Sequence, residues 1–540
     1  MGIRHLSALT LIAAALLYAT AVLAHAGALT VVNTNDSGPG SLRQALADAN
    51  DGDTIGFAVS GAIGLTSGEL LVDKDVTISG PGADNLAVDG NAKSRVFHIT
   101  TGRTVVISGL TISNGFVTGD FPDGIGAGIY NDHATLTVDD CVISGNLATS
   151  GAGIYNDAYN PGKTGDNAVL TVNNSIFSAN VSSSGGGGIY SFVFHRGEAV
   201  LTINNSAFTG NSAGNDSSGG GIGNASFDVP TQARATLTNC IFSGNSAGFE
   251  GGGIFNYGLG KGLSTIQIDS STLSENSAEQ GGGICNNSDG LGFAAIDIDN
   301  SSVTGNSATD GGGVCNFGFS GNAELRISNS TLSNNSSQTG GGIGNESTDG
   351  IADLNISGST FSGNSATDFG ASIYNNHVFT PALYIINTIL NAGASGANIY
   401  NVNGRVVSQG YNLSSDDGAG YLTGPGDQIN TDPLLGPLQD NGGPTFTHQL
   451  LNGSPAINGG DPNFTPPPLY DQRGPGFDRV ANDRLDIGSF EVQGAAPTPT
   501  PTPTATPRQT PTPRPRPTPA PRPRSTPHTS ATASLNGNHW

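Results

Sequence analysis

Asp269, Asp297 and Asp299, with Arg326 further along the chain, form the most chemically suggestive pattern in this sequence. Each lies in a short segment whose intervening places are apolar: Ile266-Gln267-Ile268-Asp269, Ile296-Asp297-Ile298-Asp299 and Leu325-Arg326-Ile327. Period-two alternation is that of a strand, and it puts the charged residues on the outward face. If the segments stack as neighbouring strands, Asp297 and Arg326 lie about 5 Å apart at the backbone. Carboxylates holding a cation beside an Arg or Lys base are what elimination from an acidic polysaccharide requires. The same arrangement is also that of an exposed ion pair, worth about 1 kcal/mol at most. His98, His133, His195, His377 and His448 show no metal-ligand spacing and read as surface histidines. The bend Asn50-Asp51-Gly52-Asp53 is a Ca2+ candidate or an ordinary turn, and no cofactor is required.

A second pattern concerns recognition. One motif returns ten times, beginning with Gly126-Ala127-Gly128-Ile129-Tyr130-Asn131 and spaced by about 30 residues. The place after its Ile holds Tyr130, Tyr155, Tyr190, Phe255, Tyr374 and Tyr400, interrupted by Gly223, Cys285, Cys315 and Gly344. Pointing away from the Ile core, these rings could stack on sugars or anchor a protein, or they could form a ladder that only stabilises the coils. Cys285 and Cys315 occupy one place in adjacent repeats, so stacking puts their Cα atoms about 4.8 Å apart, within reach of a disulfide. Their parallel side-chain vectors are unfavourable for the bond torsion, which leaves pairing open. Cys141 and Cys240 replace an inward Ser and read as small core residues.

The elements that position these residues follow from the repeat. Between the glycine motifs lies a second one, Asn174-Ser175-Ile176-Phe177-Ser178-Ala179-Asn180 and its copies, preceded by an alternating strand such as Leu170-Thr171-Val172. Each unit therefore holds three short strands, with Gly and Asn at the bends. That fits one coil of an all-β, parallel β-helix, in which each coil pairs only with its neighbours. About thirteen coils are expected, in a rod of about 60 Å. Ile129, Ile154 and their equivalents should form one inward stack, and Phe177, Phe208, Phe242, Leu273, Val303, Leu332 and Phe361 another. Asn131, Asn156, Asn224, Asn256, Asn286, Asn316, Asn345 and Asn375 should form a ladder at a bend. An open solenoid must cover its end strands, and Ser41 to Ala49 predicts a short amphipathic capping helix at the amino end.

Composition agrees with this. Of 540 residues, 81 are Gly and only 12% are charged, which excludes long helices. The net charge is −23 although the tail carries Arg508, Arg514, Arg516, Arg522 and Arg524 without an acid, so the body is acidic and a nucleic-acid partner is disfavoured. Residues 1–26 read as a secretory signal peptide, and no later apolar stretch is long enough to span a membrane. The β-helix domain occupies residues 27–493, with an amino-terminal cap over 29–53, regular repeats over about 96–423 and an irregular region over 424–493. Residues 494–540 read as a disordered Pro/Thr/Arg-rich stalk of polyproline type.

The pair Gly251-Gly252-Gly253-Ile254 and Phe242-Ser243-Gly244-Asn245 resembles the passenger repeats of the chlamydial polymorphic outer membrane proteins. The start Gly40-Ser41-Leu42-Arg43-Gln44-Ala45-Leu46 is similar to that of bacterial secreted right-handed β-helix proteins of the choice-of-anchor type. So is the end, with Asp471-Gln472-Arg473-Gly474 and Asp486-Ile487-Gly488-Ser489-Phe490-Glu491. The resemblance covers roughly residues 29–493, except that the Pro/Thr stalk stands where the chlamydial proteins have a membrane barrel. It implies a right-handed, pectin-lyase-like superhelix at the cell surface. The expectation is a secreted, monomeric, adhesin-like or glycan-binding protein whose partner is an extracellular polysaccharide, a cell-surface glycan or a protein. The competing expectations are a polysaccharide lyase or hydrolase and a surface-layer spacer.

Overall fold

Apolar residues at every second place of the short strands leave the chain one way to bury them, which is to wind inward and stack. The computed structural model describes residues 26–159, 167–228, 231–377, 382–482 and 484–494. The leader read over residues 1–26, apart from Ala26, and the stalk from residue 495 lie outside the described residues. Successive strands fall into three long parallel sheets of fourteen, thirteen and twelve strands. The first runs from Ala28–Val31 to Arg405–Gly410, the second from Gly61–Gly64 to Leu413–Ser414 and the third from Leu70–Val72 to Ile399–Asn401. The architecture is the parallel β-helix that the repeat predicts.

Register is set by the repeat itself. Ile129 pairs with Ile154, Ile154 with Ile189, and so on along the third sheet to Ile399. In the second sheet the Phe177, Phe208 and Phe242 rings stack with centroids 4.6 and 4.8 Å apart, inside one continuous apolar core. The glycines keep the coils close. Gly251 adopts φ +64°, and a Cβ on Gly252 would come 2.4 Å from the Gly282 and Ser277 carbonyl oxygens.

The expected asparagine ladder is present, with amide-to-amide bonds such as Asn256 to Asn286 (2.8 Å) and Asn316 to Asn345 (2.7 Å). It is broken only where Ser191 replaces Asn among the coils from Asn131 to Asn375. A second, unforeseen ladder runs through the last residue of the Phe motif, from Asn146 to Asn364. In it, for example, the Asn306 amide donates to Asn335 Oδ1 (3.0 Å) and to the Leu273 carbonyl (3.0 Å). These side chains are buried, and each satisfies backbone groups that the bend would otherwise orphan.

The ends are covered differently. At the amino end, helix Leu42–Asp48 is capped by Ser41, whose Oγ accepts the Gln44 amide, and it buries Leu42, Ala45 and Leu46. The irregular carboxy-terminal region folds back on the outer face of the second sheet. Thr331 Oγ1 donates to Gln472 Oε1 (2.6 Å), the Ser489 amide to Thr360 Oγ1 (3.0 Å), and Ile389 packs among Leu450, Ala456, Ile487 and Phe490. Its two end motifs enclose a buried ionic core in which Arg473 pairs with Asp471 and Arg479 with Glu491 (3.4 Å). His377 and His448 are buried rather than exposed: the Asn345 amide and Ser347 hydroxyl hold the first ring, and the Ser333 hydroxyl and Gly436 carbonyl hold the second.

Candidate functional site

The outer face of the third sheet carries the site. In strand Ile254–Leu259 the inward residues are Ile254 and Asn256, so Phe255 and Tyr257 point out of the coil. The next strand, Ile284–Asp289, places Cys285, Asn287 and Asp289 beside Phe255, Tyr257 and Leu259. Opposite them, the residue before each glycine motif forms a second column, with Glu250 bridged to Gln280 and Gln280 to Asp310. Between the two columns lies a cleft of ≈ 340 Å³ lined by Tyr190, Phe227, Phe249, Phe255, Tyr257 and Phe319 together with Asp216, Glu250, Asn287 and Asp289. A smaller neighbour of ≈ 140 Å³ shares Phe319 and adds Asp310, Phe317, Glu346 and Gln280.

Glu250 is the chemical centre of the cleft. It is 4% exposed, and its Oε1 accepts Asn287 Nδ2 at 2.6 Å while Oε2 accepts the Ser218 hydroxyl at 3.3 Å. Burial pushes its carboxyl up to about 7, against those two hydrogen bonds. Burial and the charge of Asp310 push Glu346 to about 7 as well. Burial, Asp289 and Glu250 push the Tyr257 hydroxyl up to about 12. The cleft therefore combines aromatic faces with a buried carboxyl that burial pushes up toward neutral pH.

The predicted aromatic column lies partly in the cleft and partly outside it. Tyr190 and Phe255 line it. Tyr130 and Tyr155 are 5% and 4% exposed, because Ile125 and the neighbouring rings cover them, so they do not present open faces. Tyr374 and Tyr400 stack at the far end with centroids 6.0 Å apart, and Tyr400 is exposed. The interruptions have causes. The Tyr190 ring fills the place a Cβ on Gly223 would take, 2.5 Å from Tyr190 Cδ2. Cys285 and Cys315 are joined in a disulfide with Cα atoms 4.7 Å apart, buried in one cluster with Phe255 and Phe317. Cys141 and Cys240 are buried free thiols in the core.

On the first sheet, Asp297 faces Arg326 and Asp269 faces Asp299, as the alternation predicts. Arg326 Nη1 lies 3.3 Å from Asp297 Oδ1 and its Nη2 engages Glu324, with the guanidinium half exposed. Asp299 accepts the Ser328 hydroxyl, and burial raises its carboxyl. Asp269 accepts the Asn300 amide at 2.7 Å. Asp297, Asp299 and Arg326 line an open groove of ≈ 400 Å³. The arrangement is a solvated ion-pair network, with its one guanidinium shared between two carboxylates.

A third cluster lies near the amino end, where Asp132, His133 and Asp157 have ligand atoms within 4.8 Å of one another and could hold a divalent cation. His133 Nδ1 is 2.6 Å from Asp132 Oδ1, and the Tyr130 hydroxyl donates to Asp157 Oδ2 at 2.7 Å. Burial raises Asp157 to about 6. His98 bridges Glu69 and Asp132, and burial notwithstanding, its carboxylate partners raise its pKa. Stacking brings these histidines together with acids from other coils, which spacing in one chain segment does not reveal. At the bend Asn50 to Asp53, the two Asp53 oxygens accept the Gly27 and Asn50 amides, which is the work of a turn.

No protein-family model matches the chain, and no curated protein matches it. Among solved structures, its winding is similar to that of pectate lyase Pel9A (13% identity, TM-score 0.36, over 86% of this chain and 96% of that one). It is also similar to a PL6 alginate lyase in complex with a trisaccharide (13%, 0.34, 79% and 92%). A third likeness is the A-module of the Azotobacter vinelandii mannuronan C-5 epimerase AlgE6 (13%, 0.28, 70% and 99%).

The residues that sequence reasoning missed are Glu250, Tyr257, Asn287, Phe317 and Glu346. The signal was present. Tyr257, Asn287, Phe317 and Glu346 occupy one register column, two residues beyond the aromatic one. Glu250 occupies the place before the glycine motif.

Proposed function

We propose that the chain is a secreted, surface-acting protein of adhesin type that binds an extracellular glycan along the outer face of its third sheet. The observation that carries this reading is the aromatic cleft around Glu250, where six rings and several hydrogen-bonding groups converge in one hollow. Sugar rings offer apolar faces that stack on aromatic side chains and hydroxyls that pair with carboxyl and amide groups. The leader over residues 1–26 would export the chain, and the basic stalk would face an anionic wall polymer. No helix among the described residues is long and apolar enough to cross a membrane.

The test is a triple variant, Phe249→Ala, Tyr257→Ala and Phe319→Ala, assayed on a glycan array and on cells. At about 1 kcal/mol per lost ring, binding should weaken at least tenfold while the melt stays cooperative. Unchanged binding by a folded variant rejects the cleft. A catalytic reading draws on Glu250, whose carboxyl burial pushes up to about 7, in the range suited to general acid work. Release of reducing ends, or of unsaturated ends absorbing in the ultraviolet, separates hydrolysis or lysis from binding.

A further inference from the structure

Resting on the reading of the cleft as a glycan site, we infer that the polymer it accepts carries amino groups rather than carboxylates. Five acids converge on the two hollows: Asp216, Glu250 and Asp289 in the larger, Asp310 and Glu346 in the smaller. Among the described residues, neither lining includes a Lys, Arg or His. On the same coils, Lys261 lies in the exposed turn after Leu259, outside both linings, and Arg326 is engaged by Asp297 and Glu324 over the first sheet. Glu250 is held only by the neutral Asn287 amide and Ser218 hydroxyl, so its negative form has no counter-charge of its own.

A uronate chain laid here would set its carboxylates against this row, with nothing of opposite sign to receive them. An ammonium group supplies the missing charge. It can also sit over the faces of rings such as Phe255 and Tyr257, which attract cations. The Asn287 side chain adds a second, independent demand. It is 5% exposed, lines the cleft, and its Oδ1 finds no donor. An N–H or O–H donor seated against the cleft floor satisfies it. The acids are spread along the rod, with Glu250 and Asp310 two coils apart in the turn column, Gln280 between them, and Glu346 beside Phe317 in the strand column, so that amino groups spaced along a polymer can meet them in turn.

Three hexasaccharides test the inference by titration calorimetry near physiological ionic strength: β-1,4-linked glucosamine, its fully N-acetylated form and oligogalacturonate. Glucosamine hexamer should bind at least tenfold tighter than the acetylated one, and oligogalacturonate should not bind. Asp289→Asn combined with Glu250→Gln should weaken the glucosamine hexamer at least tenfold more than the acetylated one and so remove that preference. Equal binding of the amine and acetylated forms, or tight binding of oligogalacturonate lost in the aromatic triple variant, overturns the inference and leaves the glycan site standing. Glucosamine binding that survives in a folded triple variant also overturns it, since the charge of the whole body is then responsible. If none of the three binds, the cleft reading fails and the inference with it.

Discussion

Asn287 donates through Nδ2 to Glu250 Oε1 at 2.6 Å, between residues 37 apart in the chain. One belongs to a strand of the third sheet, the other to the turn that opens the preceding coil. Their bond crosses from one coil to the next and fixes a buried carboxyl at the edge of an aromatic hollow.

Glu250 makes stability depend on pH. Its carboxyl rises by burial from 4.5 to about 7, so between these values the folded chain holds a proton that the unfolded chain has lost. The contribution of this group is therefore full below about pH 4.5 and is lost as pH rises through 7, by up to about 3 kcal/mol. Glu250→Gln should melt at a higher temperature than wild type at pH 8 and lose that advantage at pH 5. Parallel melting curves for the two proteins at both pH values would count against a buried, titrating Glu250.

Tyr155 and Tyr400 occupy equivalent places in the repeat but differ in exposure, 4% against 38%. Tyr155→Ala should cost about 3 kcal/mol as a cavity in a packed cluster, whereas Tyr400→Ala should cost less than about 1. Urea denaturation of both variants decides this. Similar costs would mean that the two ends of the column are covered alike.

Asn306 is a rung of the buried ladder. It accepts the Asn276 backbone and side-chain amides at 2.9 Å each and donates to Leu273 and Asn335. Asn306→Ala leaves buried donors and an acceptor unpaired and should cost about 2–3 kcal/mol. Asn322→Ala, at an exposed strand end, serves as the control and should shift the denaturation midpoint little.

The Cys285–Cys315 bond closes a separation of 30 residues. Replacing both with Ala should cost about 3–4 kcal/mol by releasing the unfolded chain. Peptide mapping without reductant should recover the linked pair. Two free thiols in the secreted protein would contradict the bond.

Glu250 and Gln280 are bridge partners in adjacent coils, so deleting Gly251 to Gln280 joins Glu250 to Gly281 in an equivalent geometry. Nearest-neighbour stacking predicts a folded rod one coil shorter. Loss of Phe255 and Tyr257 should abolish glycan binding by that shorter rod. Circular dichroism and a thermal melt read the first outcome, and a failure to fold cooperatively would contradict the modular coil.

The coil and its register were legible in the residues alone. Ile129 to Ile399 and Phe177 to Phe361 recur at one place in each repeat, and a strand repeat of two admits only one inward face. Stacking identical patterns then aligns like with like, which also placed Asp297 beside Arg326, Cys285 beside Cys315 and the first asparagine ladder on itself. The amino-terminal helix was legible for a local reason, since Ser41 caps within its own turn. What the tertiary structure alone decided is which outward residues meet solvent. Ile125 covers Tyr130 and Tyr155, and the carboxy-terminal motifs cover Thr331 and Thr360 from far along the chain. The cleft likewise forms between two columns, one in the strands and one in the turns, whose separation depends on how the coil closes. A repeat specifies what each coil shows to its neighbours, because those contacts are the same in every coil. It does not specify what the non-repeating segments lay over the outside, because their contacts occur once and are fixed only when the whole chain has folded.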